Sequence, residues 1–275
     1  MERINRLWRF LFALSLGALA VQQVINGDFL SVMLPPSFPA WRQGQTVWTL
    51  LVSLAILAGC LGVILEIKAR LASVILGCIL LLLIVCFHFP FHLGTKSFSL
   101  GAWTDTLKAL ALSGGAFIVA ASLPTEENDS VWLRAMQKQS ALGKYFVAIL
   151  MIAFGIDHFV YTDFVSTFVP KWIPGHLLWT YITGICLIAS GIAITLNLYR
   201  RTATTLLGIM LFSWLILLHL PRAIADPHSG GGAEWTGVFE VIAFGASAFL
   251  IDGSAARESY SRKRNDRNKL TVYSG

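Results

Sequence analysis

The sequence predicts an all-α integral membrane protein: eight transmembrane helices in two parallel four-helix repeats, with both termini cytoplasmic. Three observations predict it. The chain is 56% hydrophobic and 13% charged, against about 25% charged for a soluble domain, and its apolar residues lie in runs long enough to cross a hydrocarbon core of about 30 Å. The charges fall between the runs, with basic residues concentrated in alternate connections. The chain also repeats itself. Residues 28–39 (DFLSVMLPPSFP) return as 163–174 (DFVSTFVPKWIP) at an offset of 135. Trp48-Thr49 returns as Trp179-Thr180, Gly77 as Gly208 and His88-Phe89-Pro90 as His219-Leu220-Pro221, all at an offset of 131. Trp103-Thr104 returns as Trp235-Thr236. Self-similarity on this scale marks a duplicated unit.

The first repeat (1–123) holds spans at about 8–25, 46–66, 70–90 and 102–122. The first of these ends in the polar Gln22, Gln23 and Asn26 and follows Arg3, Arg6 and Arg9. It resembles a signal peptide, but no small-residue cleavage site follows, and a retained helix is expected. Residues 124–143 form a cytoplasmic linker with Glu126, Glu127, Asp129, Arg134 and Lys138, and Ser130 can start a short interfacial helix. The second repeat (144–252) holds spans at about 144–161, 177–197, 202–221 and 234–252; residues 253–275 form a basic cytoplasmic tail, expected to be disordered near anionic headgroups, with a plain solvated tail equally compatible. One set of connections carries Lys68, Arg70, Lys144, Arg200 and Arg201 besides the N-terminal arginines, the linker and the tail. The other carries only Arg42, Lys96, Lys171 and Arg222. The positive-inside rule therefore places both ends in the cytoplasm. The +6 balance is a matter of topology and marks no nucleic-acid surface. Cys60, Cys78, Cys86 and Cys186 all fall in spans without a CxxC pair and read as small core residues.

The duplicated proline stretch forms the outer connection between the first two helices of each unit. Proline interrupts regular structure, so either a lid over a site or a loop wedged between helices fits. Phe29, Leu30, Val32 and Met33, and their counterparts Phe164, Val165, Phe168 and Val169, are expected to dip into the interface, with Trp41, Trp172 and Trp179 in an aromatic belt.

All six histidines (His88, His92, His158, His176, His219 and His228) lie toward the outer side. A polar residue duplicated in an apolar helix needs a partner; a helix-ending histidine bonded to a carbonyl is the plainer alternative. Asp157-His158 is the sharpest pair, and its counterpart is Gln22-Gln23. Acid–base chemistry, if present, therefore belongs to the second repeat, with Asp157, His158 and His219 as catalytic candidates. Lys108 and Glu240 are also counterparts. If the fourth and eighth helices meet near the pseudo-axis these opposite charges pair, and exchanging them should restore folding lost by either single change; snorkelling of Lys108 is the alternative. Tyr161, Trp179, Tyr181, Arg222 and Glu240 are candidate substrate-binding residues. There is no HExxH and no cysteine cluster, and Pro90 interrupts His88-x-x-x-His92, so no metal site is assigned. Haem needs two histidines facing each other, and His88 and His219 share only depth. A quinone fits the setting better: it needs an apolar cleft with a hydrogen-bonding partner near the interface.

The stretch GIDHFVYTDFVSTFVPKWIPGHLLWTYITGICLIASG, followed by YRRTATTLLGIM and LLHLPR, resembles the DoxX-like group of bacterial membrane proteins. The shared pattern is Gly-x-x-His-Phe, Val-Pro-x-x-x-Pro, Trp-x-Tyr-x-Thr-Gly, Arg-x-Ala and His-x-Pro. It covers about 155–222, and 234–251 continue it; the first half lacks the Gly-x-x-His-Phe and Tyr-x-Thr-Gly elements. The resemblance implies a four-helix unit in a bacterial inner membrane and a loose link to quinone-coupled redox chemistry, since the group takes its name from a subunit of a thiosulfate:quinone oxidoreductase. His158 and His219 match the group's recurrent histidines. The expected function is a redox component that handles a quinone or similar lipophile at the outer face, together with the lipid bilayer and a redox partner protein. The alternative is a non-enzymatic small-molecule carrier or a membrane scaffold subunit.

Overall fold

The computed structural model describes residues 2–35, 45–124, 133 and 140–272, with side chains described as far as Asp252. Every regular element among them is helical. The helices are α1 (Glu2–Asn26), α2 (Gln45–Ile64), α3 (Ala69–Thr95), α4 (Leu100–Ser122), α5 (Gly143–Val160), the short α6 (Thr162–Ser166), α7 (His176–Leu196), α8 (Arg200–Ala225) and α9 (Ala233–Val272). Seven are long and apolar enough to cross a membrane, and the chain is a multi-pass membrane protein by that measure. The eighth expected span, α4, forms as a helix of 23 residues, but Asp105 and Lys108 interrupt its apolar run. Pro39, Trp41 and Arg42, the linker residues Glu126, Glu127, Asp129, Ser130, Arg134 and Lys138, and the tail side chains lie outside the described residues. The tail backbone itself is helical to Val272, where disorder was expected. Ala, Arg, Glu and Lys are good helix formers and no proline follows Pro227, so α9 has no reason to stop at 252.

Local sequence sets the helix ends. Ser99 caps α4, accepting the Ala102 N–H on its hydroxyl, the usual office of an N-cap serine. Asn197 ends α7 with φ 56°, a left-handed conformation that asparagine tolerates, and the Leu198 N–H returns to the Ala193 carbonyl in a Schellman-type closure. Its side chain also accepts from Lys144 at 2.8 Å and Arg200 at 3.0 Å. Within α3 and α8 one turn widens to π geometry, at Ile84–His88 and at Leu215–His219. Each wide turn comes just before a proline, Pro90 or Pro221. A proline ring clashes with the carbonyl four residues back in an α-helix, and the wider turn relieves that clash.

Close helix approaches are made by glycine. A Cβ on Gly114 of α4 would stand 2.5 Å from the Gly143 carbonyl of α5. A Cβ on Gly155 of α5 would stand 2.7 Å from the Gly184 carbonyl of α7. Around these crossings α1 packs on α2 and α9, α3 on α2 and α4, α5 on α4 and α7, α8 on α7 and α9, and α4 on α9. Phe12, Leu16, Leu112, Leu150 and Met151 form part of the buried centre. One end of the bundle carries Arg6 paired with Glu66, Arg9 with Glu2, and Arg201 with Asp252; the histidines described above lie toward the other.

Two expectations about side-chain placement change. Cys60 is buried, but Cys86 and Cys186 are exposed; a thiol is apolar enough to face lipid as readily as a core. Leu30, Val32 and Met33 are buried in the core, not dipped into the interface, so the described part of the first proline stretch, residues 28–35, is a wedge between helices. Its counterpart differs: Phe164 is 65% exposed, and Phe164, Val165, Phe168 and Val169 all line a cavity.

Candidate functional site

The cavity measures about 780 Å³, within the range of small-molecule sites. It opens among α4, α5, α7, α8 and α9, and α6 and the residues after it cover it. Met151, Phe154, Leu187, Met210, Leu211 and Phe244 form much of its apolar wall. Of the eight residues expected from sequence, seven line it: Asp157, His158, His219, Tyr161, Trp179, Arg222 and Glu240. Tyr181 does not; it is 40% exposed and stacks on Phe159. Residues two positions apart on a helix point about 200° apart at 3.6 residues per turn, so Trp179 and Tyr181 cannot both face the same hollow.

His158 donates from Nδ1 to the Phe154 carbonyl one turn back, at 2.6 Å. In the neutral ring this leaves Nε2 as a lone-pair acceptor. The Thr162 hydroxyl donates to the His158 carbonyl at 2.8 Å and steadies the end of α5. The Tyr161 hydroxyl accepts the Gly101 N–H at 3.2 Å, tying α5 to the start of α4 while its own proton stays available. His219 lies against bare backbone: a Cβ on Gly237 would stand 3.3 Å from its Nδ1. It makes no hydrogen bond among the described residues.

Lys108 and Glu240 do meet. Lys108 Nζ lies 3.1 Å from Glu240 Oε2 and 3.3 Å from Asp105 Oδ1. Glu240 is 3% exposed, and its Oε1 has no hydrogen-bond partner among the described residues, nor has Asp157 Oδ1. Arg222 grips Glu234 with two donors, Nε at 3.0 Å and Nη2, and its guanidinium lies 4.4 Å from the centre of the Phe168 ring, a cation–π distance. Sequence reasoning missed Asp105 and Glu234. The i,i+3 spacing of Asp105 and Lys108 was a usable signal; Glu234 meets Arg222 across a loop, which no spacing announces.

The counterpart positions in the first half are filled and bonded. Gln23 is fully buried, donates to Ser53 Oγ at 3.0 Å and accepts the Leu30 N–H at 3.2 Å. Gln22 donates to the Gly232 carbonyl at 2.8 Å and accepts from Thr236 at 3.1 Å. At the second-half position matching Ser53 stands Gly184, so His158 has lost that side-chain partner. His88 bonds Thr106 Oγ1 at 3.0 Å, and His92 bonds the same hydroxyl at 2.8 Å. His88 is thus held in a polar network of its own while His219 borders the cavity, and no haem-like pairing of the two is formed. Among the described residues no group of three or more His, Cys, Asp or Glu side chains could hold a metal ion.

Gln23→Leu is expected to strand Leu30 N–H and lower stability by about 1–3 kcal/mol, the cost of an unmade buried hydrogen bond, while leaving ligand binding in the distant cavity unchanged. Thermal unfolding and a ligand titration on the same preparation check both halves of that expectation.

The fold and the cavity define a multi-pass helical membrane protein with a mostly apolar hollow, set with a few polar groups, toward one end of the bundle. A family model described as a domain of unknown function (DUF8561) matches residues 147–244. That stretch contains the whole cavity lining except Gly101, Thr104, Asp105 and Lys108 of α4. No curated protein and no solved structure matches the chain.

Proposed function

We propose that the protein is a DoxX-like component of a bacterial inner membrane that binds a quinone or similar lipophile at the outer face, in two parallel four-helix repeats with eight spans and cytoplasmic termini. The cavity carries the functional reading: an apolar hollow of about 780 Å³ whose polar groups include Asp157, His158, His219 and Glu240. A ring with a lipophilic tail fits such walls, and its polar head needs hydrogen-bonding partners of this kind. The two-repeat arrangement draws support from the helix contacts. α4 meets α9, and the contact of α1 with α9 has its counterpart in that of α5 with α4. The basic residues Arg6, Arg9 and Arg201 share one end, which the positive-inside rule assigns to the cytoplasm. A redox role follows from the ligand class and requires a partner that carries electrons. The carrier and scaffold alternatives have no specific observation in their favour.

The test is to purify the full chain in mild detergent, identify co-purified lipophiles by mass spectrometry and absorption spectra, and titrate decylubiquinone. Saturable binding is expected, weakened about tenfold by Tyr161→Phe, which removes a free hydroxyl donor to a quinone carbonyl, equivalent to about 1.4 kcal/mol for one lost ligand hydrogen bond. If no quinone co-purifies and the titration does not saturate, the reading is overturned.

A further inference from the structure

The seams between neighbouring helices around the cavity are not closed alike. α4 and α5 meet at Gly114, where a Cβ would stand 2.5 Å from the Gly143 carbonyl. α5 and α7 meet at Gly155, where it would stand 2.7 Å from the Gly184 carbonyl. α8 and α9 meet at Gly208 and Gly245, where it would fall 2.5 Å from the Phe249 ring and 2.7 Å from the Phe212 ring. α4 and α9 are joined by Lys108 and Glu240. The seam between α7 and α8 has no such glycine and no ion pair among the described residues. The glycines of α7, Gly184 and Gly191, turn toward α5, and Gly208 of α8 turns toward α9. Two side chains, Trp179 and Trp214, close the outer part of this seam, with rings edge to face and centroids 6.3 Å apart. Both line the cavity, and Trp179 is 40% exposed. Leu178, Ile182 and Ile216 beside them are exposed as well, an apolar rim suited to lipid.

The equivalent seam in the first half is shut. A Cβ on Gly59 of α2 would stand 2.7 Å from the Leu76 side chain of α3, and one on Gly62 would stand 3.0 Å from Ala72 Cβ. Ser190 and Ala193 occupy the matching positions of α7, so the glycines that let α2 close on α3 are missing from it. Further out, Leu80 and Ile84 of α3 are buried in one core with Val32 and Met33. Their counterparts on α8, Leu211 and Leu215, are only partly buried.

We propose that the seam between α7 and α8 is a lateral portal: the ring of the lipophile sits in the cavity, and its tail leaves between Trp179 and Trp214 into the bilayer. The site then takes a long-chain membrane lipophile by its head and sets no limit on the length of the tail. This rests on the reading of the cavity as a quinone-type site. Rotation of two partly exposed side chains is fast and parts this seam without moving a helix. The seams closed at glycine open only if whole helices separate, because the obstacle there is close packing against the main chain. The roof is the other way out, and it suits a tail poorly. It leads toward water, where apolar chain is unfavourable, and its Phe168 is held under Arg222, itself forked onto Glu234. A tail that stays among lipid chains also keeps its apolar surroundings, so the head binds without drawing the chain out of the membrane.

The full chain in lipid nanodiscs is titrated with decylubiquinone and with an analogue whose decyl chain ends in an adamantyl group, affinities being expressed per mole fraction in the bilayer. The two are expected to bind within about threefold of each other, because the bulky end stays outside the protein. A larger weakening by the adamantyl group means that the tail is enclosed, and overturns the inference. A third analogue, with a diazirine at the end of the chain, is photolysed in place and the labelled peptides are read by mass spectrometry. Labels are expected on 177–186 of α7 and 209–218 of α8. Labels confined to the roof at 162–174, or to α4 and α9, overturn the inference while leaving the quinone-site reading intact. Absence of saturable binding by decylubiquinone itself overturns that reading, and the portal with it.

Discussion

Glu240→Leu is expected to reduce the folded yield sharply and to cost about 3 kcal/mol or more in stability, because it leaves Lys108 inside the bundle without its main counter-charge. Breaking one partner of a buried ion pair typically costs about 3–5 kcal/mol, whereas replacing both by apolar groups of similar volume is often neutral. Lys108→Met in the same chain is therefore expected to recover most of the loss. The exchange of charges, Lys108→Glu with Glu240→Lys, is expected to recover less. Asp105 lies 3.3 Å from Lys108, and the exchange would set two carboxylates side by side. Size-exclusion profiles and thermal unfolding of the two single and two double variants read this directly. If the apolar double variant is no more stable than Glu240→Leu alone, the pair does not hold α4 to α9.

Gly114→Ala is expected to be nearly as damaging, despite adding one methyl group. Its Cβ would stand 2.5 Å from the Gly143 carbonyl and 2.7 Å from Phe146 Cβ. The first of these neighbours is backbone and has no rotamer to change, so α4 and α5 must move apart. Overpacking in a dense interior costs about 1–3 kcal/mol, and an obstacle made of main chain places this site at the upper end. Lys108 lies six residues earlier on the same helix, so the separation also disturbs its contacts with Glu240. Gly94→Ala is the control, since a Cβ there meets nothing within 4 Å. Equal unfolding temperatures for the two variants would show that α4 and α5 do not depend on this contact.

Most of the fold was legible because apolar runs and basic connections are one-dimensional signals. The meeting of Lys108 with Glu240 was legible for a different reason: each stands five residues after the tryptophan of a Trp-Thr pair, and the two helices that carry them pack together. Asp157 and His158 were singled out by their contrast with Gln22-Gln23, and His219 by its repetition of His88 before a proline. What could not be read was angular and local. Tyr181 faces outward because of its position around α7. Cys86 and Cys186 face outward because an apolar side chain in a span can face lipid or core equally well. Glu234 found Arg222 through a loop whose course no periodicity encodes. The wedge made by Val32 and Met33, against the open roof made by Phe164 and Phe168, depends on how tightly two similar stretches seat. Differences of a few side chains decide that.

The widened turns at Ile84–His88 and Leu215–His219 have a bearing on how these helices tolerate changes of length. An α-helix advances about 100° per residue, so gaining or losing one residue elsewhere swings everything beyond it to a new face. A π turn absorbs a single extra residue locally and leaves the stretches on either side in phase. In α3 and α8 the stretch beyond that turn contains the proline and, in α8, Arg222 above the hollow. Insertions and deletions in these two helices are therefore best accommodated at the wide turns, where helix length can change without re-aiming the side chains that follow.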